Sequence, residues 1–351
     1  MAVITKIDYG PILQRYNLTV NYIEEKSRNV VKIYTQKGVF ALKSIENVQD
    51  LSFIHHIGEA YNKGFTRFIP FYKTMDGEFV VNQHNKYYYL MPWLKNEPPD
   101  ERSSAYQQLF KMLGRFHTVT SEELTYNEED VTQHYKAVKE KWEKRMEYLE
   151  GYIDRCENKL YMSPFELQFT TYFNEMMQAS QFAKARLEEW YGQIKGVKKF
   201  RTSLTHGKVS INHLLYDDQD RAYFTSLEKV RKASPVNDIV SFFYRTLRTY
   251  PIQSEECVGY YNEYNEHHPL AEEEVQLLLS YLTFPEPMYR AVINYVDAKN
   301  SKMSEQQSVA NLVRTYWLNK NIEFVASQIL MQEQQKKDQK LAEELEEETL
   351  E

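Results

Sequence analysis

The alternation of apolar and polar residues predicts that the first part of the chain is a small antiparallel sheet with one helix. Residues 29–45 alternate on both sides of the polar tripeptide at 36–38, which is typical of a β-hairpin. Apolar residues then recur at helical spacing over 48–62, and this pattern predicts a helix. A second hairpin is predicted to turn at 75–77 and to lead into the strand-like segment 86–94, KYYYLMPWL.

After Pro98 and Pro99 the apolar pattern changes to the three- and four-residue spacing of long helices. Three such stripes come first, and they run over 106–116, 135–156 and 165–190. Strand character then returns around a polar turn at 217–220. The sequence thus predicts a β-rich domain over 1–92, a mainly helical domain over 93–331 that contains a hairpin at 204–230, and a charged tail over 332–351.

The tail is dense in charge and holds too few apolar residues to pack, so we expect a solvated helix or disorder there. A small sheet with one helix, followed by a helical domain that a short hairpin interrupts, is the order of elements in a two-lobed kinase. We therefore predict an α+β protein with the two-lobed protein-kinase-like fold. Its N-lobe would be a small antiparallel sheet with one helix, and its C-lobe would be larger and mainly helical.

Composition and charge narrow the classes of partner. The net charge of −7 and the pI near 5.8 do not suit nucleic-acid binding, which requires concentrated Lys and Arg. Cys156 and Cys257 are isolated, so we expect neither a disulfide framework nor a paired-cysteine metal site. We expect no membrane span and no signal peptide, and hence synthesis in the cytosol. The 28 tyrosines suit half-exposed surfaces and interfaces, although an ordinary tyrosine-rich core explains them equally well.

Kinase chemistry requires few side chains, because the protein mainly positions ATP and neutralises charge on the transferring phosphoryl group. The segment VFALK at 39–43 follows the first hairpin and ends on Lys43. This lysine is the candidate phosphate-contacting residue. Such a lysine normally pairs with a carboxylate on the following helix. Glu59 is the candidate for that partner, and Glu46 is its rival.

The segment 86–94 resembles the edge strand and hinge that join the two lobes of aminoglycoside-phosphotransferase-like kinases. This resemblance implies that the adenine of a nucleotide would lie beside Met91 and Trp93. The motif LGRFH at 113–117 is similar to the helix that those enzymes place next.

The segment LTHGKVSINHLLYD at 204–217 resembles the catalytic loop of the same superfamily, which runs His-Gly-Asp, four residues and Asn before an apolar strand. His206 and Gly207 match that motif. Lys208 stands at the position of the catalytic Asp, and His213 stands at the position of the metal-binding Asn. A lysine side chain is protonated at neutral pH and cannot accept a proton. Loss of the general base alone removes roughly 10²–10⁴ in rate.

The next segment resembles the metal-binding strand of these kinases and the scaffold residues after it, which Pro235 and the pair 238–239 match. Ser226 stands where the metal-binding Asp belongs. Glu228 is expected on the same strand face as Ser226, and it is the candidate magnesium ligand. A one-residue shift would offer Asn212 as the missing Asn, but it would move Leu214 and its neighbour to opposite strand faces.

In this order and spacing, the motifs make residues 10–330 similar to the CotS-related spore-coat proteins, most closely the YsxE subgroup. The resemblance implies a protein of the bacterial endospore coat that is made in the mother-cell cytoplasm and binds other coat proteins. Because Lys208, His213 and Ser226 occupy the catalytic positions, we expect a pseudokinase that acts in coat assembly and needs no cofactor.

Two alternatives remain open at this stage. The first is an atypical small-molecule kinase, for a sugar or an aminoglycoside-like substrate, that retains ATP and magnesium and uses Glu228 for the metal. The second is that Lys43 and Lys208 turn the former phosphate site into an anion pocket for a phosphorylated metabolite or glycan.

Overall fold

The computed structural model describes residues 8–46, 50–83, 85–97, 102–197, 199–247, 255–297 and 303–350. The chain forms two compact units. Unit 1 comprises Met1–Leu109 and Leu204–Lys232, and unit 2 comprises Phe110–Ser203 and Ala233–Glu351. The hairpin segment that the sequence predicts at 204–230 therefore belongs to the same compact unit as the N-terminal sheet.

The elements of the described residues alternate between strands and helices in the first part and are mainly helical afterwards. The strands are β1 Val20–Ser27, β2 Val30–Thr35, β3 Gly38–Ile45, β4 Val81–Gln83, β5 Lys86–Pro92, β6 Glu122–Thr125, β7 Lys199–Thr205, β8 Leu214–Tyr216, β9 Ala222–Phe224 and β10 Arg231–Ala233. The helices are α1 Gly10–Arg15, α2 Ser52–Asn62, α3 Arg102–Thr120, α4 Glu128–Glu157, α5 Pro164–Ile194, α6 Val236–Thr246, α7 Glu255–His267, α8 Glu272–Thr283, α9 Glu286–Val296 and α10 Glu305–Leu350.

The sheet of unit 1 is antiparallel and has the strand order β1-β2-β3-β5-β4. Its first predicted hairpin is formed by β2 and β3, with Thr35 opposite Gly38. Gly38 has a φ of 132°, a conformation that glycine adopts without the steric penalty of a side chain. The prediction of an α+β protein that begins with a small antiparallel sheet is confirmed.

The core of this sheet joins residues from the N-terminal helix and from the strands. Ile12 and Leu13 of α1 pack in one apolar cluster with Leu42 of β3 and Leu90 of β5. The predicted helix at 48–62 is observed from Ser52 onward, whereas residues 47–49 lie outside the described residues. The opposite face of the sheet is also covered, since Ala41 of β3 and Met91 of β5 belong to a second apolar cluster with Ile69.

The second predicted hairpin differs from the observed one. A turn does form at 74–77, where the Gly77 amide donates to the Thr74 carbonyl at 3.0 Å. The segment before it contributes only an isolated bridge between Tyr72 and Leu90, and β5 instead forms its hairpin with β4. Pro70 explains the difference, because proline lacks the N–H that a longer ladder would need.

The predicted hairpin after residue 204 is formed by β8 and β9. Its turn lies at the predicted polar residues: the Asp217 carboxylate accepts hydrogen bonds from the backbone amides of Gln219 and Arg221 at 3.0 and 2.9 Å. A 3-10 helix at Ile211–His213 leads into β8. The backbone between β7 and β8 therefore forms a compact loop inside unit 1.

Unit 2 is built on long helices that coincide with the predicted apolar stripes over 135–156 and 165–190. The helices α4 and α5 pack against each other and against α9 and α10 through a cluster that includes Leu149, Ile153, Phe165, Phe169 and Leu312. The last of the three stripes begins at a capping box in which Ser163 and Glu166 exchange hydrogen bonds with each other's backbone amides.

The C-terminal helix α10 continues into the charged tail. Its side chains are exposed from residue 334 to residue 346, which corresponds to the solvated helix of the two predicted alternatives. Within the described ranges, no helix is both long enough and apolar enough to cross a lipid bilayer.

Candidate functional site

Lys43 of β3 is held by two side chains from the segment after β9. Its Nζ donates to the Ser226 Oγ at 2.8 Å and lies 2.6 Å from the Glu228 Oε1. The Lys43 and Glu228 side chains are only 14% and 13% exposed. The sequence predicted all three as site residues, and the fold brings them together within unit 1.

Tyr89 completes this cluster, although the sequence did not identify it. It lies opposite Lys43 in the β3–β5 ladder and is fully buried. Its hydroxyl donates to the Glu228 Oε1 at 2.6 Å, and its ring packs on Phe71 with centroids 4.3 Å apart. A signal was present, because Tyr89 shares a strand face with the predicted hinge residue Met91.

Burial and charge act in opposite directions on this cluster. Burial alone would raise the pKa of Glu228, but the Lys43 ammonium and hydrogen bonds from Lys43 and Tyr89 outweigh it and hold that pKa below its ordinary value. Burial lowers the pKa of Lys43 against the attraction of Glu228, and the charge of Lys208 lowers it further. Burial and the Glu228 charge raise the pKa of Tyr89 well above its ordinary value. The Tyr89 hydroxyl therefore stays protonated and donates to a charged carboxylate.

The expectation that Ser226 and Glu228 share a strand face is wrong, because β9 ends at Phe224. Ser226 instead has a φ of 61°, in the left-handed region that non-glycine residues seldom adopt. This reversal of the chain, rather than strand alternation, is what directs both side chains to Lys43.

The loop between β7 and β8 depends on Gly207. Its φ is 72°, and a Cβ added there would lie 2.6 Å from the Lys229 carbonyl oxygen. Beside it, the fully buried His206 donates from Nε2 to the Thr225 carbonyl at 2.9 Å and accepts at Nδ1 from the Lys208 amide at 3.2 Å. Because one ring nitrogen donates and the other accepts, His206 is a neutral imidazole with a fixed tautomer.

His213 also has an internal role. Its Nδ1 donates to the Lys208 carbonyl at 2.6 Å, and its ring stacks on that of His206 with centroids 5.9 Å apart. Burial lowers the pKa of His213 to about 4, and the nearby charges of Lys208 and Lys43 contribute. His213 is therefore uncharged at neutral pH. The exposed Asn212 has no such contact, and the one-residue shift that would have used it in place of His213 gains no support.

Lys208 is exposed at the head of this loop. Its backbone is used twice, since the amide binds His206 and the carbonyl binds His213. These two hydrogen bonds fix the Lys208 backbone. Lys208 stands at the position where the kinase motif has an aspartate, so an ammonium group replaces the carboxylate there.

These residues do not fit a magnesium site. Magnesium prefers oxygen ligands, mainly carboxylates and water, in octahedral geometry. The three motif positions supply an ammonium at Lys208, an imidazole with a donated Nδ1–H at His213 and a hydroxyl at Ser226 that accepts from Lys43. The Glu228 Oε1 already accepts from Lys43 and Tyr89. In the part of the chain that the structure describes, no three His, Cys, Asp or Glu side chains form a group able to hold a metal ion.

The predicted carboxylate partners of Lys43 lie elsewhere. Glu59 of α2 pairs with Lys232 at 3.0 Å and with Lys63 at 3.3 Å. Glu46 pairs with Lys86 at 2.7 Å. Lys43 is thus neutralised by Glu228, which comes from a distant part of the sequence, and not by a residue of the following helix.

The predicted hinge residues have different environments. Met91 is buried, and its Sδ accepts from the Thr225 hydroxyl at 3.9 Å. Trp93 is half-buried, and the Lys32 Nζ lies 4.5 Å from the centroid of its ring. A cation over an indole face is a favourable contact. Trp93 therefore already has a polar neighbour on β2.

Two scaffold motifs that the sequence identified separately meet inside unit 2. The His117 Nε2 lies 3.2 Å from the Asp238 Oδ2, and both side chains are fully buried. The His117 Nδ1 is hydrogen bonded to the Tyr264 hydroxyl at 2.7 Å. The motif LGRFH and the Asp-Ile pair of α6 thus form one buried polar network.

Solved structures show the same fold. The chain is similar to an aminoglycoside phosphotransferase from Alicyclobacillus acidocaldarius, with a TM-score of 0.71 and 16% identity over 91% of this chain and 94% of that chain. It is also similar to AMP-bound spectinomycin phosphotransferase, with a TM-score of 0.56 and 12% identity over 90% of this chain and 96% of that one. A microcompartment-associated aminopropanol kinase gives a TM-score of 0.53 and 12% identity over 91% of this chain and 96% of that one.

At these identities the likeness shows the fold, and it confirms the predicted kinase-like fold. No protein-family model matches the sequence, and no curated protein matches it.

Proposed function

We propose that this chain is a catalytically inactive kinase-like protein that acts by binding other proteins in the coat of bacterial endospores. The observation that carries the inactive part is the set of side chains at the three motif positions. Lys208 supplies an ammonium at the position of the catalytic base. At the two metal positions, His213 donates to the Lys208 carbonyl and Ser226 accepts from Lys43. The spore-coat part rests on the sequence resemblance of residues 10–330 to the CotS-related proteins.

The chemistry at these positions supports a loss of phosphoryl transfer. Transfer requires a group that accepts the hydroxyl proton and a metal that neutralises the phosphates. Lys208 cannot accept a proton while it is charged, and neither the neutral His213 nor Ser226 supplies a carboxylate. Glu228 is the nearby carboxylate, but it compensates the charge of Lys43. The retained scaffold would then serve binding.

The direct test uses the purified full chain with ATP and magnesium and a panel of sugars, aminoglycosides and amino alcohols. We expect no phosphate transfer above that of a Lys43→Ala control. Magnesium-dependent transfer that Lys43→Ala abolishes would contradict the proposal. A second arm follows a fluorescent fusion in sporulating cells of an endospore-forming bacterium, where the proposal expects fluorescence in a shell around the forespore. Fluorescence that stays dispersed in the mother cell would contradict the coat assignment.

The second candidate is an atypical small-molecule kinase that retains ATP binding. What favours it is the preservation of a buried lysine and carboxylate, Lys43 and Glu228, together with a fold shared with small-molecule phosphotransferases. It would require Glu228 to hold the metal ion while it remains beside Lys43. Thermal unfolding with ATP and magnesium tests this candidate, since a ligand at 100 times its Kd adds about 2.7 kcal/mol. Absence of stabilisation at millimolar ATP would contradict it, whereas binding without phosphate transfer would leave the first proposal standing. Stabilisation that survives EDTA would indicate the anion pocket formed by Lys43 and Lys208.

A further inference from the structure

Unit 2 contains a cavity of about 540 Å³ that none of the residues discussed above for unit 1 lines. It lies where β6 leads into α4, and the C-terminal turn of α5, the first residues of β7 and the helix α8 close it. The described residues therefore provide a concave surface that the kinase-like motifs do not account for.

Aromatic side chains form much of the cavity wall, and hydrogen bonds or ring contacts hold them in place. They are Tyr126, Trp190, Phe200 and Tyr281. The Tyr126 ring meets Phe200 edge-on at 5.2 Å, and its hydroxyl donates to the Ile194 carbonyl at 2.6 Å. Aromatic faces attract cations through their quadrupole, and rings that are already fixed lose little freedom when a ligand binds.

His134 links two of these walls. Its Nε2 is hydrogen bonded to the Tyr281 hydroxyl at 2.6 Å, and its ring meets Trp190 edge-on at 6.0 Å. Partial burial lowers the pKa of His134 below its ordinary value, so the imidazole is mainly uncharged at neutral pH.

The charge of the lining is negative. Arg201 is matched to Glu274, to which its Nε donates at 3.1 Å, and its Nη2 also donates to the Pro269 carbonyl at 2.7 Å. Asp130 and Glu273 form no salt bridge with any residue that the structure describes. Three carboxylates thus face one guanidinium, and the two carboxylates in excess would be complemented by a cation.

An edge strand borders the same cavity. Among the described strands, β6 pairs only with β7, so it forms the edge of its sheet. Leu124 and Thr125 of β6 line the cavity and are exposed. An edge strand can pair with an extended segment of another polypeptide, and every second side chain of that segment would point to one face of the sheet.

We propose that this cavity receives a lysine or arginine side chain from an extended segment of a partner polypeptide that pairs with β6. The inference rests on the proposed binding function, and it names the surface and the chemistry of the partner. The aromatic wall contacts the aliphatic stem and the cation, while Asp130 and Glu273 compensate its charge. The edge strand is what favours a polypeptide over a free amine.

The test is selection from a displayed library of random octapeptides on the purified full chain. We expect enrichment of Lys or Arg at one position of a shared pattern that otherwise favours β-branched residues. The Asp130→Asn/Glu273→Gln double variant should lose that enrichment. The Glu150→Gln/Asp154→Asn variant, which removes the same charge from exposed positions of α4 outside the cavity, should retain it.

A labelled peptide from the selection then gives the affinity by fluorescence anisotropy. We expect the Kd to rise at least tenfold when norleucine replaces the basic residue of the peptide. We expect the same rise when the unchanged peptide binds the Asp130→Asn/Glu273→Gln variant. Selection without a basic preference, or an equal Kd for both double variants, would overturn the proposal. Free lysine amide that binds as tightly as the peptide would also overturn it, in favour of a small-molecule site.

This test is independent of the test of the proposed function. A chain that transfers no phosphate but selects no basic peptide would lose the docking site and keep the pseudokinase assignment. A chain that transfers phosphate and still selects basic peptides would lose the pseudokinase assignment and keep the docking site.

Discussion

Lys43 and Glu228 form a buried ion pair with 2.6 Å between Nζ and Oε1, although one lies on the N-terminal sheet and the other follows β9. The pair makes the strand lysine part of the internal bonding of unit 1. An anion that reached Lys43 would have to compete with a carboxylate that is already in contact with it. The pair therefore fixes the position of the Lys43 ammonium inside unit 1.

The first prediction concerns the hydroxyl that supports this pair. Tyr89→Phe removes the hydrogen bond to the Glu228 Oε1 and should lower the free energy of unfolding by about 1–3 kcal/mol, because a buried carboxylate then lacks a donor. Tyr88→Phe is the matched control. Tyr88 is as deeply buried on the same strand, but its hydroxyl has no hydrogen-bond partner among the described residues. Urea unfolding of both variants gives the comparison, and equal losses would contradict the assigned role of Tyr89.

The second prediction concerns the acid response of His213. Its pKa is lowered from 6.5 to about 4, first by burial, so the unfolded chain binds more protons than the folded chain between those two pH values. The free energy of unfolding should therefore fall as the pH drops from 6.5 to 4, by up to about 3 kcal/mol from this group. His213→Asn should reduce the difference between unfolding at pH 7 and at pH 4. If His213→Asn kept the wild-type pH dependence, His213 would not be the group that titrates. NMR titration of the wild-type His213 ring measures its pKa directly.

The third prediction tests the close approach at Gly207. Gly207→Ala places a Cβ 2.6 Å from the Lys229 carbonyl oxygen at a φ of 72°, and it should destabilise the protein by at least about 2 kcal/mol. Gly192→Ala serves as the control, because an added Cβ there meets nothing within 4 Å. In the helix α5 this substitution should raise the free energy of unfolding by up to about 1 kcal/mol. Thermal unfolding distinguishes them, and tolerance of Gly207→Ala would refute the tight packing of this loop.

The fourth prediction concerns the buried network of unit 2. Asp238→Asn alters the carboxylate that contacts His117 at 3.2 Å in a fully buried position, and a loss of about 1–3 kcal/mol is expected. The exposed Asp154→Asn should change stability by less than about 0.5 kcal/mol. A double-mutant cycle with His117→Gln should give a coupling energy of about 0.5–3 kcal/mol. Additive losses would mean that the two residues stabilise the fold independently.

The local pattern of the sequence was sufficient for the fold class and for most of the elements. Alternation over 29–45 and helical spacing over 135–156 and 165–190 report which faces are buried, and burial of one face is what selects a strand or a helix. The kinase-like motifs also identified Lys43, Lys208 and Ser226 as candidate site residues from the sequence alone. Pro70 was the local signal that the prediction of the second hairpin did not use.

The tertiary structure decided which of these residues meet. Glu59 and Glu228 are both acidic residues near a motif, and nothing in their neighbours in sequence distinguishes the one that pairs with Lys43. That choice depends on the positive φ of Ser226, on the end of β9 and on the register that sets Tyr89 opposite Lys43. Contacts of this kind join residues that are far apart in the chain. They follow from packing and register and not from the pattern of any single segment.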